Sequence, residues 1–298
     1  MDFSVWPNPQ WTWDDVRSTA VDAEAAGWHG VWFADHFMPN SGDTTRPDGD
    51  FLECWGVLAA LAAVVPRVRL GPLVSSATFR HPAVLANLAA TVDHVSGGRL
   101  VLGLGAGWQI NEHDAYGIPL GSMKERLDRF EEACQVVTSL LRDDRTTVEG
   151  SYHQVVDAPC EPKPVQRPLP FLVGGGGEKR TLAIAARYAD EWNVWGTPEV
   201  LAHKNAVLDR HCEAVGRDPS TIRRTCQALI GIRDTPTEPQ QGARPMVVGA
   251  PEQIAETMAE YAAAGVDEFI VPCFDRVEPA RAVVDQFVAE VIPQVKRP

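Results

Sequence analysis

Cysteine at a useful spacing is the first thing this sequence does not have. The six cysteines among 298 residues, Cys54, Cys134, Cys160, Cys212, Cys226 and Cys273, fall singly, with no CxxC pair and no His/Cys cluster at zinc spacing. No metal site is read from them, and most are expected to be small buried residues in a reducing compartment. Positive charge is also scarce: 27 Lys and Arg stand against 40 Asp and Glu, a net charge of −13. Nucleic acid is a poor partner for such a chain, because binding it needs a basic face that displaces phosphate counterions. No apolar run reaches membrane-spanning length, and the first residues lack the basic region and apolar stretch of a secretory signal. The expectation is a cytoplasmic protein with no membrane partner. Low-complexity tracts and breaks in composition are missing as well, so nothing divides the chain into separate domains.

What is present is an alternation of short glycine-bounded apolar runs with amphipathic stretches. The runs Phe3 to Trp6, Gly30 to Ala34, Val68 to Ser76, Leu100 to Leu104, Pro170 to Val173, Glu191 to Trp195, Arg224 to Ile232 and Glu268 to Pro272 read as strands buried on both faces. Between them, Trp13 to Ala26, Phe51 to Val65, Pro82 to His94, Ser122 to Leu141, Glu178 to Tyr188, Val200 to Val215 and Pro251 to Ala264 read as helices. Eight strand units with no composition break predict the α/β class and a single (β/α)8 TIM barrel over residues 1–298. Residues 143–170, rich in proline and carrying Tyr152, His153, Val155 and Val156, predict a hairpin-containing insertion after strand four that covers the site. Pro72 offers no N–H to a ladder, so strand three must be irregular there.

Barrels of this kind carry their chemistry at the carboxyl ends of the strands. That rule selects Asp35 and His36, Val74 to Thr78, Ala106 to Asn111, Gly174 to Glu178, Trp195 and Cys273. His36 either satisfies a local hydrogen bond or exchanges a proton, and Asp35 beside it at the rim favours the second. Gly103, Gly105 and Gly107 let backbone approach a ligand; as a dinucleotide fingerprint they would need a third glycine where Trp108 stands. Gly174 to Gly177 ahead of a helix make an anion site, with Lys179 and Arg180 nearby. Arg80-His81-Pro82 reads as a helix start, Asp93 and Arg99 as a pair across a turn, and Trp108 and Trp195 suit stacking on a planar ligand.

Taken together, Phe33 to Phe37, Leu70 to Pro82, Ser96 to Trp108, Glu161 to Gln166 and Gly174 to Asn193 resemble the luciferase-like monooxygenase superfamily, in its F420-dependent oxidoreductase branch. The resemblance spans nearly the whole chain. It implies hydride transfer between coenzyme F420 and a small organic substrate, catalysed with His36 and Asp35 beside the reactive ring. It further implies a non-proline cis peptide at Leu73-Val74 backing that ring. Ser76, Gly107 and Asn111 would contact the cofactor, and Gly175, Gly176, Gly177 and Glu178 would hold its phosphate-bearing tail. Trp108 and Trp195 would flank the substrate. Related sugar-phosphate dehydrogenases carry a glutamate acid at the position of Trp108, a departure that bears on substrate choice. The same superfamily offers FMN with oxygen as an alternative cofactor and chemistry, and a barrel that binds a flavin without turnover as another. A homodimer is what the resemblance suggests.

Overall fold

Each predicted apolar run becomes a parallel strand because its side chains face packed atoms on both sides, and each amphipathic run becomes a helix that covers the strands. The computed structural model describes residues 1–233 and 244–295. In chain order it holds β1 (Asp2–Pro7), α1 (Trp13–Ala25), β2 (Gly30–Phe33), α2 (Cys54–Val64), β3 (Arg69–Pro72), β4 (Ser75–Ser76), α3 (Pro82–Ser96), β5 (Leu102–Gly105) and α4 (Ile110–Tyr116). Then come α5 (Met123–Arg142), β6 (Thr146–Glu149), β7 (Gln154–Ala158), β8 (Phe171–Gly174), α6 (Thr181–Tyr188), β9 (Glu191–Trp195), α7 (Pro198–Ala214) and β10 (Arg223–Gln227). The last elements are β11 (Leu229–Ile232), β12 (Met246–Gly249), α8 (Pro251–Ala263), β13 (Glu268–Cys273) and α9 (Val277–Gln286).

The main sheet runs β3-β2-β1-β13-β10-β9-β8-β5-β4, all pairs parallel. Its two ends, β3 and β4, are consecutive halves of one strand; β4 pairs with β5, and a bridge from Leu70 of β3 to Leu100, just ahead of β5, closes the seam. Eight staves therefore close into the expected (β/α)8 barrel. Helix starts are where local chemistry puts them: the Thr12 side chain accepts from Asp15 N, Pro82 follows His81 at the start of α3, and Ser122 with Glu125 forms a capping box on α5. A large apolar core lies between sheet and helices, while Trp6, Trp32, Ala34, Leu73, Val101, Leu172 and Ile270 pack inside the barrel. All six cysteines are free and buried. Among the described residues no helix is long and apolar enough to cross a membrane.

One expectation is met at strand three, and three change in detail. Strand three is broken into β3 and β4 by a cis peptide between Leu73 and Val74, the position the resemblance implied. Strand seven ends at Gln227; after buried Ala228 the chain leaves the barrel and β11 pairs with β12 in a separate two-stranded parallel sheet. Asp93 and Arg99 do not pair. Asp93 accepts from the backbone and side chain of Gln166, and Arg99 donates to the carbonyls of Ser96, Val68 and Ala62. The hairpin β6–β7 is present, but its contacts run along α5, with its tip on Glu132 and the His153 ring against His81. The stretch that lies across the strand ends is 37–53 instead, tied to α4 on one side and, through Leu52 N to Pro9 O, to the end of β1 on the other. The insertion after α5 lies along the outside of the barrel and reaches the start of α3, whereas the stretch after β2 emerges directly at the rim.

Candidate active site

The site is built from the broken third stave outward. Val74 at the break projects its side chain toward three neighbours without side chains. A Cβ on Gly103, Gly105 or Gly174 would come within 2.7 to 3.0 Å of its methyl groups, and on Gly103 also 2.2 Å from Pro72 O. These glycines on β5 and β8 make room for the break. Their use thus differs from the close ligand approach that the sequence suggested, and of Gly103, Gly105 and Gly107 the last alone, at φ +84°, lies in a conformation that favours glycine. A Cβ there would meet Ser76 Oγ at 2.6 Å.

One stave away, Leu73 N donates to Phe33 O at the end of β2, and two residues on stand Asp35 and His36. Their roles divide. Asp35 is buried, and both carboxylate oxygens accept from Arg80, at 2.6 and 3.1 Å. Burial pushes its carboxyl above the ordinary range, and the Arg80 guanidinium works against that. Arg80 in turn reaches Glu53, the cap of α2; burial would lower its pKa, but the two carboxylates hold it above its ordinary value. Asp35 therefore holds the rim together, a correction to its assignment as a proton-exchanging group, and Arg80 does more than open α3.

His36 faces the other way. Its Nδ1 lies 2.7 Å from Glu112 Oε1, and its ring meets Trp108 edge-on at 5.5 Å and Phe51 at 6.4 Å. No described residue bonds its Nε2. Trp108 is 51% exposed, a large apolar ring left open at the rim. Glu112 carried no signal in the sequence, since it is one acid among many until α4 folds against the β2 loop; a residue pair of this kind would need co-variation to be seen.

Two further expected contacts turn out to be internal supports. Ser76 Oγ bonds Thr78 Oγ1 at 2.6 Å, which bonds His113 Nε2 at 2.7 Å. Asn111 is fully buried and donates to Pro39 O and Thr45 O. Both side chains are buried and hydrogen-bonded within the chain, so they support the loops that carry the site.

At the end of β8 the glycine run behaves as a cradle. Gly175, at φ +123°, donates to Asn193 O and accepts from Trp192 Nε1, and a Cβ on Gly176 or Gly177 would meet Val194 or Thr181 at 2.8 Å. No side chain caps α6, and the N–H groups of Gly176, Gly177 and Glu178 have no acceptor among the described residues. The nearby cation is Lys204 of α7, which donates to Gly176 O and to Glu178, holding that carboxyl below its ordinary value. Arg180, expected here, points away to Asp128 and Glu131. Across the barrel mouth, Trp195 packs with Trp6 and Phe274, and the Arg244 guanidinium lies 5.2 Å over Trp195 and 5.4 Å over Phe274. No described carboxylate pairs with Arg244. Trp192, by contrast, is core. Cys273 is buried behind this wall, its thiol pushed up to about 12 by burial. Among the described residues no group of three His, Cys, Asp or Glu could hold a metal ion.

Comparison with known proteins bears on family and fold. A family model described as luciferase-like monooxygenase matches residues 1–247. The chain is 32% identical over 229 residues to an F420-dependent glucose-6-phosphate dehydrogenase of Kineococcus radiotolerans, covering 76% of this chain and 66% of that one. A protein of the same name from Microbacterium testaceum is 31% identical over 249 residues, covering 81% and 72%. Against the first two curated relatives the match spans 66% and 50% of their length. Among solved structures, an F420-dependent secondary alcohol dehydrogenase in complex with an F420-acetone adduct superposes with a TM-score of 0.84 at 21% identity, covering 99% of both chains, a likeness of fold.

Proposed function

The chain belongs to the luciferase-like monooxygenase family, and on that premise we propose that it is an F420-dependent oxidoreductase passing a hydride between coenzyme F420 and a small organic substrate. The observation that carries the reading is the coincidence, on adjacent staves of one rim, of a break seated on three glycines and a histidine with one ring nitrogen free. The residues fit the cofactor. Leu73 and Val74 put apolar atoms at the break, and the uncapped start of α6 with Gly176, Gly177, Glu178 N–H and Lys204 suits an anionic tail.

When bound, F420 supplies a carbon that accepts or donates hydride and reacts poorly with oxygen. The protein's part is to place the two carbons and manage one proton. His36 Nε2 takes the hydroxyl proton as an alcohol carbon gives up its hydride and becomes a carbonyl carbon, and returns that proton in the reverse direction. Trp108 and Trp195 flank the substrate, and Arg244 adds one cation at its far end. With Trp108 where sugar-phosphate dehydrogenases are expected to carry an acid, His36 handles the proton without a second acid at that position. The resemblance also carries a homodimer, which light scattering in solution would report.

Anaerobic titration followed by tryptophan fluorescence tests the cofactor. Saturable binding of F420, with turnover on an alcohol or carbonyl panel read from F420 absorbance, is expected. Tight binding of FMN with none of F420 would overturn the assignment in favour of flavin chemistry.

A further inference from the structure

We propose that Glu112 is a positioning residue that fixes His36 in the tautomer with Nε2 as proton acceptor, so that the resting enzyme meets a hydroxyl-bearing substrate as a base. The proposal rests on the reading of His36 as the proton-handling group.

Glu112 lies fully buried in the first turn of α4. One of its oxygens accepts the backbone N–H of Phe37 at 2.9 Å, a donor that cannot change its role. The other lies 2.7 Å from His36 Nδ1. No lysine or arginine among the described residues forms an ion pair with it. A carboxylate has only acceptor atoms, so the hydrogen in the second contact belongs to Nδ1. A neutral imidazole carries one N–H, and Nε2 is left as a lone pair.

The ring is held in this role from several sides. Trp108 and Phe51 stand nearly perpendicular to it, at 87° and 84°. The first turn of α4 is itself clasped to the residues that follow His36. Gln109 Nε2 donates to Met38 O, Asn111 Nδ2 to Pro39 O and Thr45 O, and Asn111 Oδ1 accepts from Glu112 N. These bonds tie helix and loop together around the Glu112–His36 pair. The buried supports Asn111 and Gln109 serve to keep one carboxylate against one imidazole.

The step balances. As hydride leaves the substrate carbon for the cofactor, the O–H electron pair becomes the second C–O bond and the proton moves to Nε2. The resulting imidazolium keeps its Nδ1–H on Glu112. Starting from the other tautomer, Nε2 would already hold a hydrogen and could accept none.

Replacing Glu112 by Gln discriminates this role from a structural one. The amide oxygen must take the fixed Phe37 N–H, which turns the NH2 group toward Nδ1 and forces the hydrogen onto Nε2. In serine proteases the same inversion lowers kcat by roughly 10⁴; here a fall of about 10³ is expected, with F420 affinity and KM unchanged within a few-fold. Histidine ¹⁵N NMR of the cofactor-free wild-type protein should show His36 protonated on Nδ1 and bare on Nε2, and Glu112→Gln the reverse. A wild-type spectrum with the proton on Nε2, or a Glu112→Gln protein that keeps the wild-type tautomer and kcat, would overturn the proposal. The spectrum needs no cofactor, so a failure of the F420 assignment leaves this test standing and readable.

Discussion

At the amino-terminal end of the barrel, buried Glu268 accepts from Ser4 Oγ at 2.6 Å, Trp32 Nε1 at 2.9 Å and Arg69 at 3.1 Å, with Arg223 at 3.4 Å, while Arg69 also binds Glu191. At the carboxyl end Asp35, Asn111 and Glu112 are as buried, while partly exposed His36 keeps a ring nitrogen with no described partner and exposed Arg244 has no described carboxylate. Both ends are layers of charge inside parallel staves. They differ in what faces outward: at the floor Glu268 is saturated by cations and neutral donors, and the groups left without a partner, Glu191 Oε2 and Arg223 Nε, are buried, whereas the rim turns the unpartnered nitrogen of partly exposed His36 toward the strand ends. A cavity does not distinguish them, for a cleft of about 420 Å³ opens at the floor, between Phe3, Trp28, Val68 and Ile292. Function is read from the reactive groups that open outward at the strand ends, and the presence of a cleft alone does not assign it.

The contrast can be broken by exchanging effects between the ends. His36→Ala should lower kcat/KM by about 10²- to 10⁴-fold while leaving F420 affinity and the unfolding midpoint close to wild type. Unchanged turnover would remove the rim from the chemistry. Glu268→Ala should do the reverse, leaving Arg69, Arg223, Ser4 and Trp32 facing a void; loss of a buried partner of this kind costs roughly 3–5 kcal/mol. Urea unfolding reads it, and the folded fraction should keep its kcat. A large loss of turnover with intact stability would mean that the floor takes part in catalysis.

The smallest effect is expected in the pH dependence of stability. His29 sits at the floor with Asp2, Arg69, Glu268 and Arg223 around it. Burial lowers its pKa, with Arg69 and Arg223 adding to the fall against the pull of Glu268 and Asp2. The unfolded chain then takes up a proton near pH 6.5 before the folded one does, so stability falls as pH drops through that value toward the folded pKa. In His29→Gln this part of the slope should disappear, as read from urea midpoints between pH 7.5 and about 5. Parallel slopes in the two proteins would assign the acid sensitivity elsewhere.

Much of the frame was legible along the chain. Gly30 to Ala34 and Leu100 to Leu104 announce buried strands because they are apolar on both faces, and Ser122 with Glu125 announces a helix start because the capping box is local. The stave that breaks at Leu73-Val74 was legible only through family resemblance. Pro72 forbids a regular ladder but says nothing of where the irregularity falls. The site was half legible. Position at a strand end found His36, Trp108, Trp195 and the glycine run. It could not separate Asp35, locked onto Arg80, from His36 beside it, nor find Glu112, Lys204 and Arg244, which arrive from other elements.

By itself the sequence determined the alternation of strand and helix, the closed parallel barrel and the rim on which chemistry sits, because periodicity, caps and turn residues act over a few neighbouring positions. Only the tertiary structure decided which polar groups at that rim are saturated and which stay free. A hydrogen bond such as Glu112 to His36 joins residues 76 apart in sequence, and no local pattern can say which acid will be brought to which imidazole.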